Sequence, residues 1–395
     1  MKPALPLRIG VAGLGRAFTL LLPTLQRDPR IRLVAATDPQ RSAVAQFERD
    51  FGGTPHGDVA SLCADPKVDA IYIATPHGLH AAHACAALAA GKHVVVEKPM
   101  ALTLGECDAM VDAAAAAQRC LIIGPSHSFD APIARTRALI ASGAYGRVRM
   151  VQAMYATDYL YRPRRPEELS TAEGGGVIFS QAVHQIDIVR LLGGGLVSSV
   201  DACTGAWDPQ RPTEGAYSAL LRFDDGCFAA ASYTGYAHFD GDELMDDVGE
   251  MGWRKAATDY GVARRRLRDA TVAEDALKAA RNYGGSAWSA AAASAPAAHP
   301  HFGFVLASCD RADLRPTPTG IWIYEDAQRR FEPVPLDPVP RGELISELVG
   351  AVIDGVPPRH DGAWGRATLE ATLAILEAAK LQAPVRLNRQ VAVRD

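Results

Sequence analysis

LRIGVAGLGRAF, residues 7–18, decides the fold class. Its first half, LRIGVA (7–12), is a short apolar run, as expected for a strand buried on both faces of a parallel sheet. Its second half turns through Gly13 and Gly15 and enters a helix at about Arg16. Gly10, Gly13 and Gly15 lie where a dinucleotide-binding turn carries glycines, although Phe18 fills the third place of G-x-G-x-x-G. Gly13 lets the chain turn, and Gly15 lets backbone N–H groups approach a pyrophosphate at the helix N-terminus. The next strand, IRLVAAT (31–37), ends at Asp38. A carboxylate there accepts from both ribose hydroxyls and repels a 2′-phosphate. The expected cofactor is therefore NAD, with NADP disfavoured, although Arg41 stands close enough in sequence to meet such a phosphate.

Outward from this stretch, strands and helices alternate. A helix is expected from Arg16, kinked or shortened by Pro23. Further elements are a helix over 40–51, a strand over 68–75, a helix over 77–90, a strand over 93–97, a helix over 104–118 and a strand over 121–124. This rhythm predicts a doubly wound parallel sheet over residues 1–128. Beyond it a helix (131–142) leads into longer strands at 147–157, 197–207, 216–223 and 227–235, with a helix over 180–192 to pack on them. Strands resume at 302–309 and 320–325, and amphipathic helices close the chain at 342–354 and 364–380. Residues 129–395 therefore read as an α+β domain with a mostly antiparallel sheet, interrupted at 238–300 by an insertion with some helix.

The composition narrows the function classes. The chain has 395 residues, enough for two cores, and a formal net charge of -4, which suggests no nucleic-acid partner. No apolar run reaches the length of a membrane span, and the N-terminal residues lead straight into a strand rather than a signal-peptide core. Seven scattered cysteines without a CxxC pair read as reduced thiols of a cytoplasmic protein. His77, His80 and His83 share a spacing of three, but no carboxylate or cysteine completes a metal set, so no metal is expected.

Three segments carry the chemistry. AGKHVVVEKP (90–99) ends a strand with Glu97-Lys98-Pro99 at the edge where ligands bind in such sheets. A lysine there can take a proton near neutral pH if burial depresses its pKa; alone, it reads equally as a surface lysine. His184 shares a helical face with Ile188 and Leu191, so spacing alone makes it a core histidine. Arg162, Arg164 and Arg165 stand in a Pro-stiffened loop, YRPRRPEE (161–168). They read either as a clamp for carboxylates or as a solvated loop paired with Glu167 and Glu168.

IATPHGLH (73–80), AGKHVVVEKP (90–99) and GGGVIFSQAVHQIDIVRLLGG (174–194) together resemble the glucose–fructose oxidoreductase / inositol dehydrogenase / MocA family. The resemblance spans the chain apart from 238–300. It implies an N-terminal Rossmann domain and a C-terminal open-faced β-sheet domain that forms homodimers or homotetramers. It implies that Arg16, Thr75, Pro76, His77, His80 and Glu97 line the cofactor site, that Lys98 and His184 are catalytic, and that Pro99 follows a cis peptide bond. Asp187 matches a separate family aspartate. The sugar-oxidising members carry an aspartate where this chain has Ser180, which leaves Ser180 a substrate-facing hydrogen-bonding group at most.

GLGRAFTLLLP, GPSHSFDAPI and the arginine loop are similar, more narrowly, to phthalate 4,5-cis-dihydrodiol dehydrogenases. That similarity implies a small carboxylated cyclic cis-diol as substrate, bound by Arg162, Arg164 and Arg165, with His127 and Arg135 near the cleft. Alternatives within the resemblance are oxidation of a sugar, an inositol or a semialdehyde, NAD-dependent glycoside hydrolysis, and a non-catalytic nucleotide sensor.

Overall fold

The computed structural model describes residues 3–288 and 296–395. The part of the expected insertion at 289–295 lies outside the described residues. Two compact units result. Among the described residues, one holds 3–125, 276–288 and 337–366, and the other 126–275, 296–336 and 367–395. A single division near residue 128 is therefore too simple. The chain returns to the first unit twice because both returning segments carry apolar side chains that complete its core. Leu344, Ile345 and Leu348 face Ile9, Leu21, Leu25 and Ile71, and Tyr283 is fully buried.

The first unit is built on strands β1 (Leu7–Ala12), β2 (Ile31–Thr37), β3 (Thr54–Pro55), β4 (Ala70–Ile73), β5 (His93–Val96) and β6 (Leu121–Ile123). All are parallel, in the order β3-β2-β1-β4-β5-β6. The connections carry helices α1 (Arg16–Arg27), α2 (Arg41–Phe51), α3 (Val59–Ala64), α4 (His80–Ala89) and α5 (Leu104–Ala117). Strand order reverses between β1 and β4, and ligands of such sheets bind beyond the carboxyl ends of the strands at that switch. Pro23 does not shorten α1, which runs through it for 12 residues; a proline removes only one donor from the ladder.

Phe18 explains how the unit manages without a third glycine. It is fully buried, with its ring edge-on to Tyr283 at 5.2 Å and 6.3 Å from Phe47. Tyr283 in turn meets Trp288 at 4.7 Å and Phe51 at 6.5 Å. An aromatic cluster, two of whose members come from the insertion, replaces the close backbone contact a glycine would permit.

The second unit starts with α6 (Ala131–Ala141), β7 (Val148–Ala156), α7 (Val183–Gly193), β8 (Val197–Gly205), β9 (Ala216–Phe223) and β10 (Phe228–Thr234). The short helices α8 (Val262–Arg268) and α9 (Glu274–Ala279) follow within the insertion. Then come β11 (Phe304–Cys309), β12 (Asp313–Thr317), β13 (Gly320–Tyr324) and β14 (Arg329–Pro333). Helix α10 (Glu343–Val349) lies in the first unit, α11 (Gly362–Leu381) starts there, and β15 (Val385–Arg386) closes the second. The nine strands run β14-β13-β12-β11-β7-β10-β9-β8-β15. Every pairing is antiparallel except β7 with β10. Strands β12 and β14 were not expected, because DLRPT and RRFEP lack an apolar alternation; β14 is an edge strand, where charge and proline are tolerated.

Side chains alternate across this sheet as its pleat requires. Val151, Ala153 and Tyr155 of β7 and Ala229, Ala231 and Tyr233 of β10 are buried, and α7 packs on these two strands. Gln152, Met154, Phe228 and Ala230 point to the exposed face. Helix α7 is buried on every side, so its polar residues need internal partners. Asp187 accepts from Ser126, from Ser128 at 2.5 Å and from Thr368 at 2.8 Å. The fully buried Arg190 donates to Thr368 at 2.7 Å and to Gln390 at 2.9 Å.

Replacing Phe18 by the glycine of the usual fingerprint is expected to destabilise the protein by roughly 3–5 kcal/mol, the cost of deleting a buried aromatic ring. A lowered urea midpoint for the F18G variant would check this; an unchanged one would mean that the ring contributes nothing to the core.

Candidate active site

In the first unit the site is built at the carboxyl ends of β1, β2, β4 and β5. Gly13 has φ +95, and a β-carbon on it would lie 2.6 Å from the Ala74 carbonyl oxygen. Only glycine lets the turn after β1 pass this close to the end of β4. Gly15 then caps α1, and a β-carbon there would meet nothing within 4 Å. The open space above this amide-rich turn fits a pyrophosphate at the helix N-terminus. Asp38 holds the turn in place: its carboxylate accepts from the Leu14 N–H at 2.7 Å and the Gln40 N–H at 2.8 Å. Arg16 opens α1 and donates to Thr19 at 3.2 Å. Burial, with Arg281 nearby, pulls its pKa down to about 10. Gly10 belongs instead to β1, where a β-carbon would press on Leu62 and Val68 at 3.0–3.3 Å. It is a packing glycine, not the cofactor contact expected from the fingerprint.

The loops after β4 and β5 are tied together by His80, contrary to its expected cofactor contact. Its ring is fully buried, with Nδ1 2.8 Å from the Pro99 carbonyl and Nε2 2.8 Å from the Thr75 carbonyl. Burial holds its pKa down against the pull of those two acceptors. His80 therefore braces the strand ends that carry Thr75, Pro76 and Lys98. Thr75 also bonds the His83 ring at 3.1 Å, and His77 lies edge-on to His80 at 5.7 Å. Glu97 is buried and accepts from Tyr72 at 2.5 Å. Lys98 is half-buried, and the Lys98–Pro99 peptide is cis.

In the second unit a polar cluster gathers beside α7. His184 faces His127 edge-on, with ring centroids 4.7 Å apart, and both rings meet Phe302, at 5.0 and 5.2 Å. Nδ1 of His127 lies 2.6 Å from the Asp130 carboxylate, and Nε2 lies 3.6 Å from Glu250. Burial opposes charge on His127, but Asp130 and Glu250 outweigh it and raise the pKa above its ordinary value. Glu250 also lies 3.6 Å from Arg162, whose Nε is 3.4 Å from Asp158. Behind them, Tyr155 donates to Asp242 at 2.7 Å, and Lys255 pairs with both Asp240 and Asp242. His301 accepts from Gly303 N–H at Nδ1 and therefore donates from Nε2 to the Val248 carbonyl at 2.7 Å. Ser180 is buried in a π-helical stretch, Ile178–Ala182, immediately before α7. Such stretches are frequent at functional sites.

Similar proteins of known family place the chain as a whole. A profile described as "Oxidoreductase family, NAD-binding Rossmann fold" matches residues 7–125, and one described as "GFO/IDH/MocA C-terminal domain" matches 133–253. The 1-carboxy-3-chloro-3,4-dihydroxycyclohexa-1,5-diene dehydrogenase of Comamonas testosteroni is 47% identical over 378 residues, 95% of each chain. The chain belongs to the GFO/IDH/MocA oxidoreductase family. A solved Bordetella bronchiseptica RB50 chain assigned as a dehydrogenase superposes with a TM-score of 0.92 at 38% identity, covering 98% of this chain and 100% of that one. The WlbA dehydrogenase from Bordetella pertussis, solved with NADH and UDP-GlcNAcA, shares the fold with a TM-score of 0.69 at 21% identity, over 97% and 99% of the two chains. This protein is thus an oxidoreductase with a dinucleotide-binding Rossmann unit. Among the described residues no helix is long and apolar enough to cross a membrane, and no group of three or more His, Cys, Asp or Glu could hold a metal ion.

Within that family frame the three loop arginines separate. Arg162 joins the histidine cluster. Arg164 stacks on Tyr159 at 3.6 Å, donates to its carbonyl at 2.9 Å and lies 3.7 Å from Glu168. Arg165 pairs with Glu167 at 3.0 Å and Glu168 at 3.5 Å. The expected three-armed clamp is not formed. Arg162 and Arg164 both lie over the Tyr159 ring, at 5.8 and 3.6 Å, and Arg164 and Arg165 share Glu168, so the loop's own side chains engage these guanidinium groups. Arg135 pairs instead with Glu332 at 2.6 Å. Sequence reasoning missed Asp130, Glu250 and Phe302. The spacing of His127 and Asp130 in SHSFD was a usable signal for the first, whereas the other two come from distant parts of the chain.

Because folding raises the His127 pKa, the folded chain binds that proton more tightly than the unfolded one. The resulting stabilisation is complete below pH 6.5, the ordinary value, and is lost as pH rises through the folded value. An Asp130→Asn variant is expected to lose most of its stability deficit against wild type as pH climbs above 6.5, measured by urea unfolding at a series of pH values. A deficit that stays constant would mean that His127 is neutral throughout.

Proposed function

We propose that this protein oxidises a cyclic cis-diol bearing a carboxylate, with NAD as the acceptor. The observation that carries this reading is the 47% identity, over 95% of the chain, to a dehydrogenase named for a carboxy-dihydroxycyclohexadiene. The preference for NAD rests on Asp38, whose negative charge at the end of β2 opposes a 2′-phosphate.

In this reading the bound nicotinamide supplies the acceptor for the hydride that leaves the carbinol carbon. Lys98 is assigned the uptake of the hydroxyl proton as the carbonyl forms, and His184 is assigned a supporting role in proton handling. Asp130 and His127 fix the edge of the His184 ring, so its orientation is set before substrate arrives. The substrate carboxylate is assigned to Arg162. Its contacts to Asp158 and Glu250, 3.4 and 3.6 Å, are longer than good charge-assisted bonds. A substrate carboxylate can therefore exchange with them at small cost. A single available guanidinium suits a substrate with one carboxylate. The ketone first formed then moves a ring C–H proton to its oxygen and becomes a catechol, and the gain in aromaticity draws the reaction forward.

Lys98→Met is expected to lower kcat by roughly 10²–10⁴-fold, the usual worth of a general base, while NADH still binds. Arg162→Ala is expected to raise KM for the carboxylated diol by roughly 10–100-fold, with Arg165→Ala close to wild type. Turnover of such a dihydrodiol is followed by NADH absorbance beside a sugar and inositol panel, with NAD and NADP in parallel. Faster turnover of the neutral polyols would overturn the substrate assignment.

A further inference from the structure

Arg162 stands in a tight loop whose two sides are tied together. Its own N–H donates to the Tyr159 carbonyl at 3.2 Å, and the Arg164 guanidinium reaches back to the same carbonyl at 2.9 Å. Tyr159 is buried, and its ring lies under Arg164 at 3.6 Å. Between the two arginines, Pro163 fixes one more backbone angle. The insertion fastens this loop to its neighbours. Glu274, the first residue of α9, accepts from the Arg164 N–H at 2.8 Å, across 110 residues of chain. The same carboxylate takes both arms of Arg211, from the connection between β8 and β9, at 2.8 and 2.9 Å. Arg264 of α8 covers the Tyr161 ring at 3.9 Å and donates to the Tyr236 and Ala237 carbonyls, each at 2.6 Å. All of these residues belong to the second unit.

Position 274 calls for a carboxylate. Three N–H donors converge on its two oxygens, and an amide side chain would turn an NH2 group toward one of them. Arg211 is buried, and its fork holds the carboxylate in one plane, so this pair is stronger than an exposed one. The backbone amide held by Glu274 lies two residues past Arg162. On its other side, Arg162 is held through Tyr159. A guanidinium carried on a backbone pinned on both sides meets a carboxylate without first ordering its loop. Arg164 and Arg165 are engaged by Tyr159, Glu167 and Glu168. Arg162 instead reaches the histidine cluster, through Glu250 at 3.6 Å. It is therefore the guanidinium that this fastening serves.

We propose that Glu274, held by Arg211, is a positioning residue for substrate binding: it clips the insertion onto the arginine loop and keeps Arg162 where the substrate carboxylate meets it. This rests on the assignment of that carboxylate to Arg162, and it gives the insertion a part in substrate selection without touching the substrate.

The test is steady-state kinetics of the full-length protein with NAD on two probes, the 3,4-cis-dihydrodiol of benzoate and its methyl ester, which offers Arg162 no charge. Glu274→Gln is expected to raise KM for the acid about tenfold, the effect of one lost charge-assisted hydrogen bond. Its kcat on the acid stays within about twofold of wild type, and KM for the ester does not change. Arg211→Lys keeps the charge but loses the fork, and shows the same pattern with a smaller rise. Arg266→Ala, at an exposed position of α8, leaves both KM values at wild type. Should Glu274→Gln fail to fold, Arg211→Lys reads the same contact. An unchanged KM for the acid, or an equal rise for acid and ester, would mean that Glu274 serves the fold alone and would overturn this proposal. Arg162→Ala with an unchanged KM for the acid would overturn the carboxylate assignment, and this proposal with it.

Discussion

A β-carbon at residue 13 would stand 2.6 Å from the carbonyl oxygen of Ala74, and the first unit is arranged around that missing atom. Because the chain passes so close to the end of β4, α1 can begin at the point where the strand order reverses. Asp38 then reaches the Leu14 amide from the end of β2, linking the strand, the turn and the helix by one carboxylate. The amides of the glycine turn, the strand end bearing Thr75 and the loop bearing Lys98 are placed by this close approach together with the His80 brace between the Thr75 and Pro99 carbonyls.

The second unit solves a different problem. Helix α7 has no solvent face, yet it carries His184, Gln185, Asp187 and Arg190. Buried polar groups are tolerated only when their hydrogen-bonding capacity is met. Asp187 and Arg190 meet it through Ser126, Ser128, Thr368 and Gln390, and Gln185 through Tyr217 at 2.6 Å and the Ser232 carbonyl at 3.2 Å. These contacts fix the helix in register on β7 and β10. His184 is thereby held facing His127, which Asp130 in turn orients. His184 shares one helix with these buried polar residues, so the rigidity of the network is transmitted to its imidazole.

Much of this was legible in the sequence because the signals are local. A strand, a glycine turn and an acid ending the next strand lie within one short stretch, and each has a steric or electrostatic reason to be where it is. The Glu97-Lys98-Pro99 strand end and the histidine of α7 carried the family resemblance for the same reason. What sequence did not reveal depends on contacts distant along the chain. Glu250 approaches His127 from 123 residues away, and Phe302 from further still. The arginine loop misled because Arg164 and Arg165 are engaged within the loop itself, by Tyr159, Glu167 and Glu168. Gly10 misled by counting as part of a fingerprint while serving the packing of Leu62 and Val68 on β1.

The interleaving of the chain has a consequence for how the protein is made. The sheet of the first unit is complete once Ile123 has been synthesised, but the apolar side chains of Leu344, Ile345 and Leu348 that cover part of it arrive more than 200 residues later. At about 5–20 residues per second, a nascent chain spends roughly ten seconds or more with Ile9, Leu21 and Ile71 short of their final neighbours. During that interval the half-covered sheet is a surface that chaperones would recognise.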